Sequence, residues 1–318
     1  MIYAGVDIGG TKCAVTIGRA AGERLDVLYK RRFDTLPHDP DSVLAMLDAS
    51  IQELQNHLPD GQTLGGIGIS CGGPLDSRRG VILSPPNLPG WDAVPIVEYF
   101  HDRYGVPVHL QNDANACAVA EWKFGAGRGC ENMVFLTFGT GLGAGLILNG
   151  HLYEGTTGMA GELGHWRLRP EGPVGYGKAG SFEGFCSGAG IADAARHAIE
   201  QGRCRRLLDA AGSPAAVTAR LVAELAKQGD AECTELYTQC GSMLGYGLAM
   251  VIDILNPQKI ILGGIFARSE RLLRPHMHRR LENEALPQCR DMCRIEPAAL
   301  GEAIGDYAAL TVAMGGYA

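Results

Sequence analysis

Much that would mark a secreted, metal-clustered or nucleic-acid-binding chain is missing from this sequence. Its ten cysteines, at 13, 71, 117, 130, 186, 204, 233, 240, 289 and 293, form no C-x-x-C pair. The common zinc and thiol-redox spacings are therefore absent. Cys289 and Cys293 are four apart, with no second ligand pair nearby in sequence. Most of the ten lie in apolar segments and read as small buried hydrophobes, and a disulfide framework is unexpected at this length. No Lys/Arg run is long enough to mark a nucleic-acid surface, and the formal net charge is −7. The pairs Arg31-Arg32, Arg205-Arg206 and Arg279-Arg280 read as solvated surface.

No stretch reaches 18 apolar residues, and the best candidate, GYGLAMVIDIL, is broken by Asp253. The opening MIYAGVDIGGTK lacks the charged-then-apolar order of a signal peptide. A cytoplasmic protein with no membrane and no nucleic-acid partner is expected. Low-complexity segments and long linkers are also missing. With 46% hydrophobic and 20% charged residues, the composition excludes disorder and coiled coil. The length of 318 residues gives a prior of two domains.

Glycine is what the chain has in excess, 45 residues in all and without a collagen period. Such density predicts tight turns or close backbone approaches to a ligand. Residues 2–8 read as a strand, Gly9–Lys12 as a turn, and Cys13–Gly18 as a second strand. Residues 41–57 carry helical spacing behind Asp39-Pro40-Asp41. Gly65–Ser70 reads as a buried strand, Val94–Tyr104 as a helix and Val106–Leu110 as a strand. Ala114–Trp122 follows as a helix, so Asp113 stands where a strand ends and a helix begins.

Met133–Phe138, a turn at 139–143 and Ala144–Leu148 repeat the strand–turn–strand layout of the N-terminus. That recurrence predicts two halves of related architecture. Gly155–Gly190 shows little periodicity. Residues 187–201, 214–228, 231–255 and 302–314 read as helices, the third of them buried. Ile260–Leu262 reads as a strand running into Gly263-Gly264.

Two turns have the chemistry of phosphate cradles. In Asp7-Ile8-Gly9-Gly10-Thr11-Lys12, glycines allow backbone N–H groups to reach phosphate oxygens and Thr11 adds a hydroxyl. Asp7, at a strand end, could hold Mg²⁺ directly or through water. An ordinary hairpin turn is the alternative for this segment alone. Gly139-Thr140-Gly141 lies in a second such turn. It lacks the spacing of a Walker A loop, and a strand rather than a helix follows, against a dinucleotide fingerprint. Two such hairpins about 130 residues apart in the sequence point to a nucleotide clamped between two halves.

DIGGTK at 7–12, GISCGGPLD at 68–76, PNLPGW at 86–91, QNDANACA at 111–118, TFGTGLGAGLILNG at 137–150, AGELGH at 160–165, FEGFCSG at 182–188 and NPQKIILGG at 256–264 occur in this order. Together they resemble the ROK (repressor, open reading frame, kinase) family of sugar kinases over essentially the whole chain. The resemblance implies an α/β, actin-like or hexokinase-type ATPase fold with two lobes around a central cleft. On the residue pattern, the small lobe is expected at 1–113 plus the C-terminal helix 302–318, and the large lobe at 114–301.

The resemblance further implies ATP-dependent phosphorylation of a hexose or N-acetylhexosamine at the 6-hydroxyl, with Mg²⁺ and a homodimeric assembly. Asp113 matches the general base; a helix N-cap is its alternative role. Gly73, Asn87, Asn112, Glu162, His165 and Glu183 match positions that surround the sugar, Gly73 as a glycine beside it. Asp7, Gly9, Gly10, Thr11, Lys12, Gly139, Thr140 and Gly141 match the phosphate turns, and Gly263 and Gly264 the glycines beside adenosine. A sugar-binding regulator of the same family without catalysis is the alternative. Regulators of the family carry a DNA-reading module ahead of DIGGTK; with six residues before Asp7 in this sequence, no such module is expected.

The sequence departs from the family in one place. Three cysteines of the usual zinc motif are replaced by Val174, Tyr176 and Ser181, while His165 and Glu183 remain. Structural zinc takes four ligands, so no zinc is expected. Packing by Tyr176 and Phe182 is expected to hold the loop instead.

Overall fold

The structure, a computed structural model, describes residues 1–316. It contains two compact units. The first comprises Met1–Glu131, Gly145–Ala160 and the segment from Ala299 onward; the second comprises Asn132–Ala144 and Gly161–Ala298.

The first unit opens with the expected hairpin, β1 (Ile2–Ile8) and β2 (Lys12–Ala21), closed by the pair Ile8 and Cys13. β3 (Arg24–Asp34) adds to it antiparallel. Helix α1 (Pro40–Gln55) starts where predicted: the Asp39 carboxylate accepts the Ser42 N–H, and Pro40 takes the first turn, where its missing N–H costs nothing. Its buried stripe is Val43, Leu44, Leu47, Ile51 and Leu54, each contributing about 1.5–3 kcal/mol of burial.

Strands β4 (Leu64–Cys71), β5 (Leu75–Asp76) and β6 (Val81–Ile82), helix α2 (Ile96–Tyr104), strand β7 (Val108–Asn112) and helix α3 (Asp113–Phe124) follow. β4 lies parallel to β1 and β7 parallel to β4, which gives the order β3-β2-β1-β4-β7. One face of this sheet shares a core with α1, Trp91 and Phe100.

Next come β8 (Met133–Phe138), β9 (Leu142–Leu148) and β10 (His151–Leu152), then a small hairpin of β11 (Val174–Gly175) and β12 (Lys178–Ala179). Helices α4 (Phe182–Phe185), α5 (Gly188–Glu200), α6 (Arg205–Ala211), α7 (Ala219–Lys227) and α8 (Ala231–Leu255) lead to β13 (Lys259–Leu262). Helices α9 (Ile265–Glu284) and α10 (Pro287–Arg290), strand β14 (Arg294–Pro297) and helix α11 (Ile304–Met314) complete the chain. The second sheet has the order β10-β9-β8-β13-β14, with β13 parallel to both β8 and β14. In each sheet the first three strands in sequence stand at one side in reverse order and two later strands at the other. The repeated strand–turn–strand pattern of the sequence thus extends to whole sheets.

Helix α11 packs on β1 and β4 at backbone distance. A Cβ on Gly68 would lie 2.1 Å from Ala313 N, and one on Gly5 would lie 2.8 Å from Leu310 N. The first unit also runs on past Asp113, because α3 packs on α11 through Ala116, Ala120, Ala308 and Val312. The carboxylate of Glu121, fully buried, accepts N–H groups from Ala126, Ala299 and Leu300, and so fixes the end of α3 to the start of this C-terminal segment.

Helix α8 is long and apolar enough to cross a membrane by length and composition. It is a core helix of the second unit, with Leu236, Tyr237, Met243, Leu244, Leu248, Val251 and Ile252 among its buried residues. Gly241 and Gly245 bring it against the α9 backbone, 2.7 Å from Leu273 O and 2.4 Å from Met277 O at the Cβ positions. The segment 214–228 divides: a 3₁₀ turn at Pro214–Ala216 precedes α7, whose N-cap is Thr218.

Candidate active site

Within the first unit, the turn after β1 is fixed from below by Thr35. The Thr35 hydroxyl donates to Gly9 O at 2.7 Å, and its N–H donates to Thr11 O at 2.9 Å. Gly9 N–H closes the turn on Lys12 O at 3.0 Å. Gly10 is needed for close packing, since a Cβ there would lie 2.5 Å from Asn87 Cβ. The phosphate-turn candidates thus abut a sugar-site candidate. Thr11, Lys12 and Asn87 are exposed, and Gly9 and Gly10 are half-buried.

Asp7 is the last-but-one residue of β1, paired with Ala14 and with Ser70 on either side. Burial, then the carboxylates of Asp113 and Asp306, push its carboxyl up to about 7, against the pull of Lys30 and Arg32. Lys30 is paired directly with Asp306, which also accepts from the Thr16 hydroxyl at 2.9 Å. Crowded carboxylates of this kind are relieved by a cation. Mg²⁺ binds through one or two carboxylates, with waters and substrate phosphates completing its shell, so Asp7 fits this ion. Among the described residues, no three His, Cys, Asp or Glu side chains stand together as a protein-only metal cage.

The β7–α3 corner assigns the capping role. Asn112 Oδ1 accepts from Ala114 N at 3.0 Å and Asn115 N at 3.4 Å, and it is the N-cap. The Asn112 Nδ2 group faces Gly73, 3.3 Å from where a Cβ would stand. Asp113 is the first helical residue. One of its oxygens accepts the Ala114 N–H at 2.8 Å, and solvent reaches the side chain. Burial raises its carboxyl above the usual range, partly offset by that N–H.

Within the second unit, the turn after β8 is held by α5 and α4. Gly139 O accepts the Gly188 N–H at 2.8 Å, and Thr140 O accepts the Ala189 N–H at 3.2 Å. Glu183 Oε2 accepts the Leu142 N–H at 2.9 Å, and a Cβ on Gly141 would lie 2.6 Å from the same oxygen. Glu183 therefore joins the phosphate-turn candidates to the loop that carries Glu162 and His165. Both of these are exposed, at the 3₁₀ turn Leu163–His165. The His165 ring meets Tyr176 edge-on, with centroids 6.0 Å apart.

Gly263 and Gly264 face protein at their Cβ positions. Gly264, at φ +58°, would place a Cβ 2.1 Å from Phe138 O, and Gly263 would place one 3.1 Å from the Phe135 ring. At Gly264 the entry into α9 by itself demands glycine.

The loop that lacks the zinc cysteines is packed by Phe182 as expected, but not by Tyr176. Phe182 is fully buried, with Gly247 of α8 over its ring. Tyr176 is 68% exposed and does not serve as a packing anchor, because it occupies the tip of the β11–β12 hairpin at φ 48°. Ser181, at one of the missing cysteine positions, is fully buried. Its hydroxyl donates to Gly175 O at 3.3 Å and accepts the Gly184 N–H at 3.0 Å, capping α4. Arg167 donates to Ala179 O, and Lys178 donates to His165 O at 2.7 Å.

Sequence reasoning missed Thr35, Glu121, Asp306 and the pair Gln111 and Glu154. Only Gln111 stood inside a quoted motif. The others act through partners distant in sequence and leave no local signal.

The profile of the ROK family matches residues 3–314. The chain belongs to the ROK family. It is 33% identical over 308 residues to a glucokinase of Halalkalibacterium halodurans, covering 95% of this chain and 92% of that one. The ROK family glucokinase of Streptomyces griseus, solved in complex with glucose and AMPPNP, is 29% identical, with a TM-score of 0.82 over 99% of this chain and 100% of that one. A ROK family transcriptional regulator, a homologue of the E. coli MLC protein, gives a TM-score of 0.86 at 26% identity, over 98% of this chain and 77% of that one. The fold is accordingly the actin-like, hexokinase-type α/β fold of ROK sugar kinases.

Proposed function

We propose that this ROK family chain transfers the γ-phosphoryl group of ATP to the 6-hydroxyl of a hexose or an N-acetylhexosamine, with Asp113 as the base. That it is an ATP-dependent sugar kinase follows from its glucokinase relatives. The observation that carries the finer reading is the division of labour at the β7–α3 corner. Asn112 takes the capping duty, which leaves an oxygen of Asp113 able to accept a proton from a sugar hydroxyl. A carboxyl held above the usual range is a better base than an ordinary one.

Phosphoryl transfer needs positioning and charge stabilisation more than covalent chemistry. In this reading Asn87, Asn112, Glu162, His165 and Glu183 hold the sugar hydroxyls, beside Gly73. The turns at 9–12 and 139–141 receive the phosphates. Mg²⁺, when bound at Asp7, neutralises phosphate charge. A cytoplasmic homodimer belongs to the same reading and is tested by light scattering.

The experiment is a coupled ADP-release assay across a panel of hexoses and N-acetylhexosamines, with Asp113→Asn alongside. Turnover of the variant should fall at least ~10²-fold with sugar binding retained. Near-normal turnover would show that Asp113 is not the base. The likeness to the transcriptional regulator favours a second reading, a sugar-binding regulator, which the absence of turnover with every sugar would support.

A further inference from the structure

Gln111 is buried at the end of β7, beside the proposed base, and no role in the reading above uses it. Its side-chain carbonyl, Oε1, accepts two hydrogen bonds: from the Asn112 backbone N–H at 2.8 Å and from Asn115 Nδ2 at 3.2 Å. Its Nε2 donates to Glu154 Oε1 at 3.0 Å, and the Ser77 hydroxyl donates to the same oxygen at 3.3 Å. All five residues belong to the first unit.

A side-chain amide has two orientations related by a half-turn, and only its partners choose between them. A carboxylate accepts and never donates. With Glu154 on one side, the amide must present Nε2 to it and Oε1 to the two donors. Turned over, it would set an oxygen against the carboxylate and an NH₂ against two other donors. The Asn115 Nδ2 group is the second of those donors and cannot accept, so it selects the same orientation as Glu154. Asn112 and Asn115 bracket Asp113 on the first turn of α3. The amide therefore grips the chain on both sides of the base.

We propose that Glu154 is a positioning residue: it orients the Gln111 amide, and through it fixes the β7–α3 corner that presents Asp113. This rests on the kinase reading for its effect on turnover, and on the hydrogen-bond chain alone for its effect on the corner. Glu154 follows β10, more than thirty residues after Asp113 in sequence, and acts on the reacting centre only through Gln111.

The test is a reversal of the pair. Gln111→Glu places two carboxylates together and should lower kcat by roughly tenfold, with KM for sugar and ATP within about twofold, since misplacing a catalytic group costs rate before binding. Gln111→Glu with Glu154→Gln keeps the two bonds from Asn112 and Asn115 and remakes those at position 154 in the opposite sense. The carboxylate introduced at position 111 accepts from Asn112, Asn115 and the amide introduced at position 154, whose nitrogen takes the place of Glu154 Oε1 and donates to the Ser77 hydroxyl as well. The double variant should recover kcat to within about threefold of wild type. Deuterium exchange of a peptide covering 111–117 should quicken in the single variant and slow again in the double. Should Gln111→Glu not fold, Glu154→Leu carries the same comparison against wild type. Unchanged kcat and exchange in the single variant, or a double variant no better than the single, overturns the proposal. A wild type without turnover whose exchange follows the predicted order overturns the kinase reading and upholds the positioning of the corner.

Discussion

Replacing Asp7 by Asn should stabilise the ligand-free protein at neutral pH. Burial, Asp113 and Asp306 hold the Asp7 carboxyl at about 7, against 3.8 for an unperturbed one. Moving a carboxyl over that interval corresponds to roughly 4 kcal/mol. The side chain is partly open to water, and screening there reduces the figure by about half, to roughly 2 kcal/mol. The sign follows from the protons bound. The folded value lies above the unfolded one, so between about pH 4 and about pH 7 the folded chain holds a proton that the unfolded chain has lost. Wild-type stability therefore falls as pH rises through this window and levels off above it. Asn has no proton to lose, so the difference between variant and wild type should open over the same window. Thermal melts of both proteins without nucleotide, from about pH 4 to about pH 8, would read it. The variant should melt with wild type at the acid end and roughly 4 °C higher at the alkaline end. Equal melting at about pH 8, or a gap that does not change with pH, would refute the argument that burial and neighbouring carboxylates raise the Asp7 carboxyl.

Ser181→Ala should lower stability by about 1–2 kcal/mol, the usual loss for a helix cap, with faster proteolysis between residues 166 and 181. Cleavage at wild-type rates would show that the hydroxyl does not hold the loop. Elemental analysis of the purified protein should find no stoichiometric zinc, and activity removed by a chelator should return fully with excess Mg²⁺. One tightly held zinc per chain would contradict the reading of Val174, Tyr176 and Ser181.

The elements with strong periodicity were legible, and those shaped by tertiary contacts were not. The hairpin of β1 and β2, the stripe of α1 and the full extent of α8 follow from residue spacing. β3 did not, because its register shifts at Leu28 and both faces of this edge strand are partly exposed, so RLDVLYKRRFD carries no sustained alternation. α9 carries Pro275 inside it and a break in helical geometry at Ser269, and so offers few of the signals of a regular helix. At the site, the position of Asp113 at a strand-to-helix junction was readable, but the choice of Asn112 over Asp113 as cap needed coordinates. Loop 166–182 was misjudged at Tyr176 because an aromatic at a hairpin tip looks in sequence like one in a core. Ser181, a small polar residue in place of a cysteine, gave no sign that its hydroxyl would be buried and doubly bonded.

That serine changes when the loop can form. A loop tied by a metal stays open until the ion arrives, since its ligands must be deprotonated and gathered before they bind. Here the tie is a hydroxyl lodged between Gly175 and Gly184, made by the chain as it folds. With that tie in place of the zinc cysteines, the segment that carries His165 and Glu183 is expected to take shape as the chain folds, without a step of metal loading. Nor does that tie depend on a thiolate that an oxidant could remove.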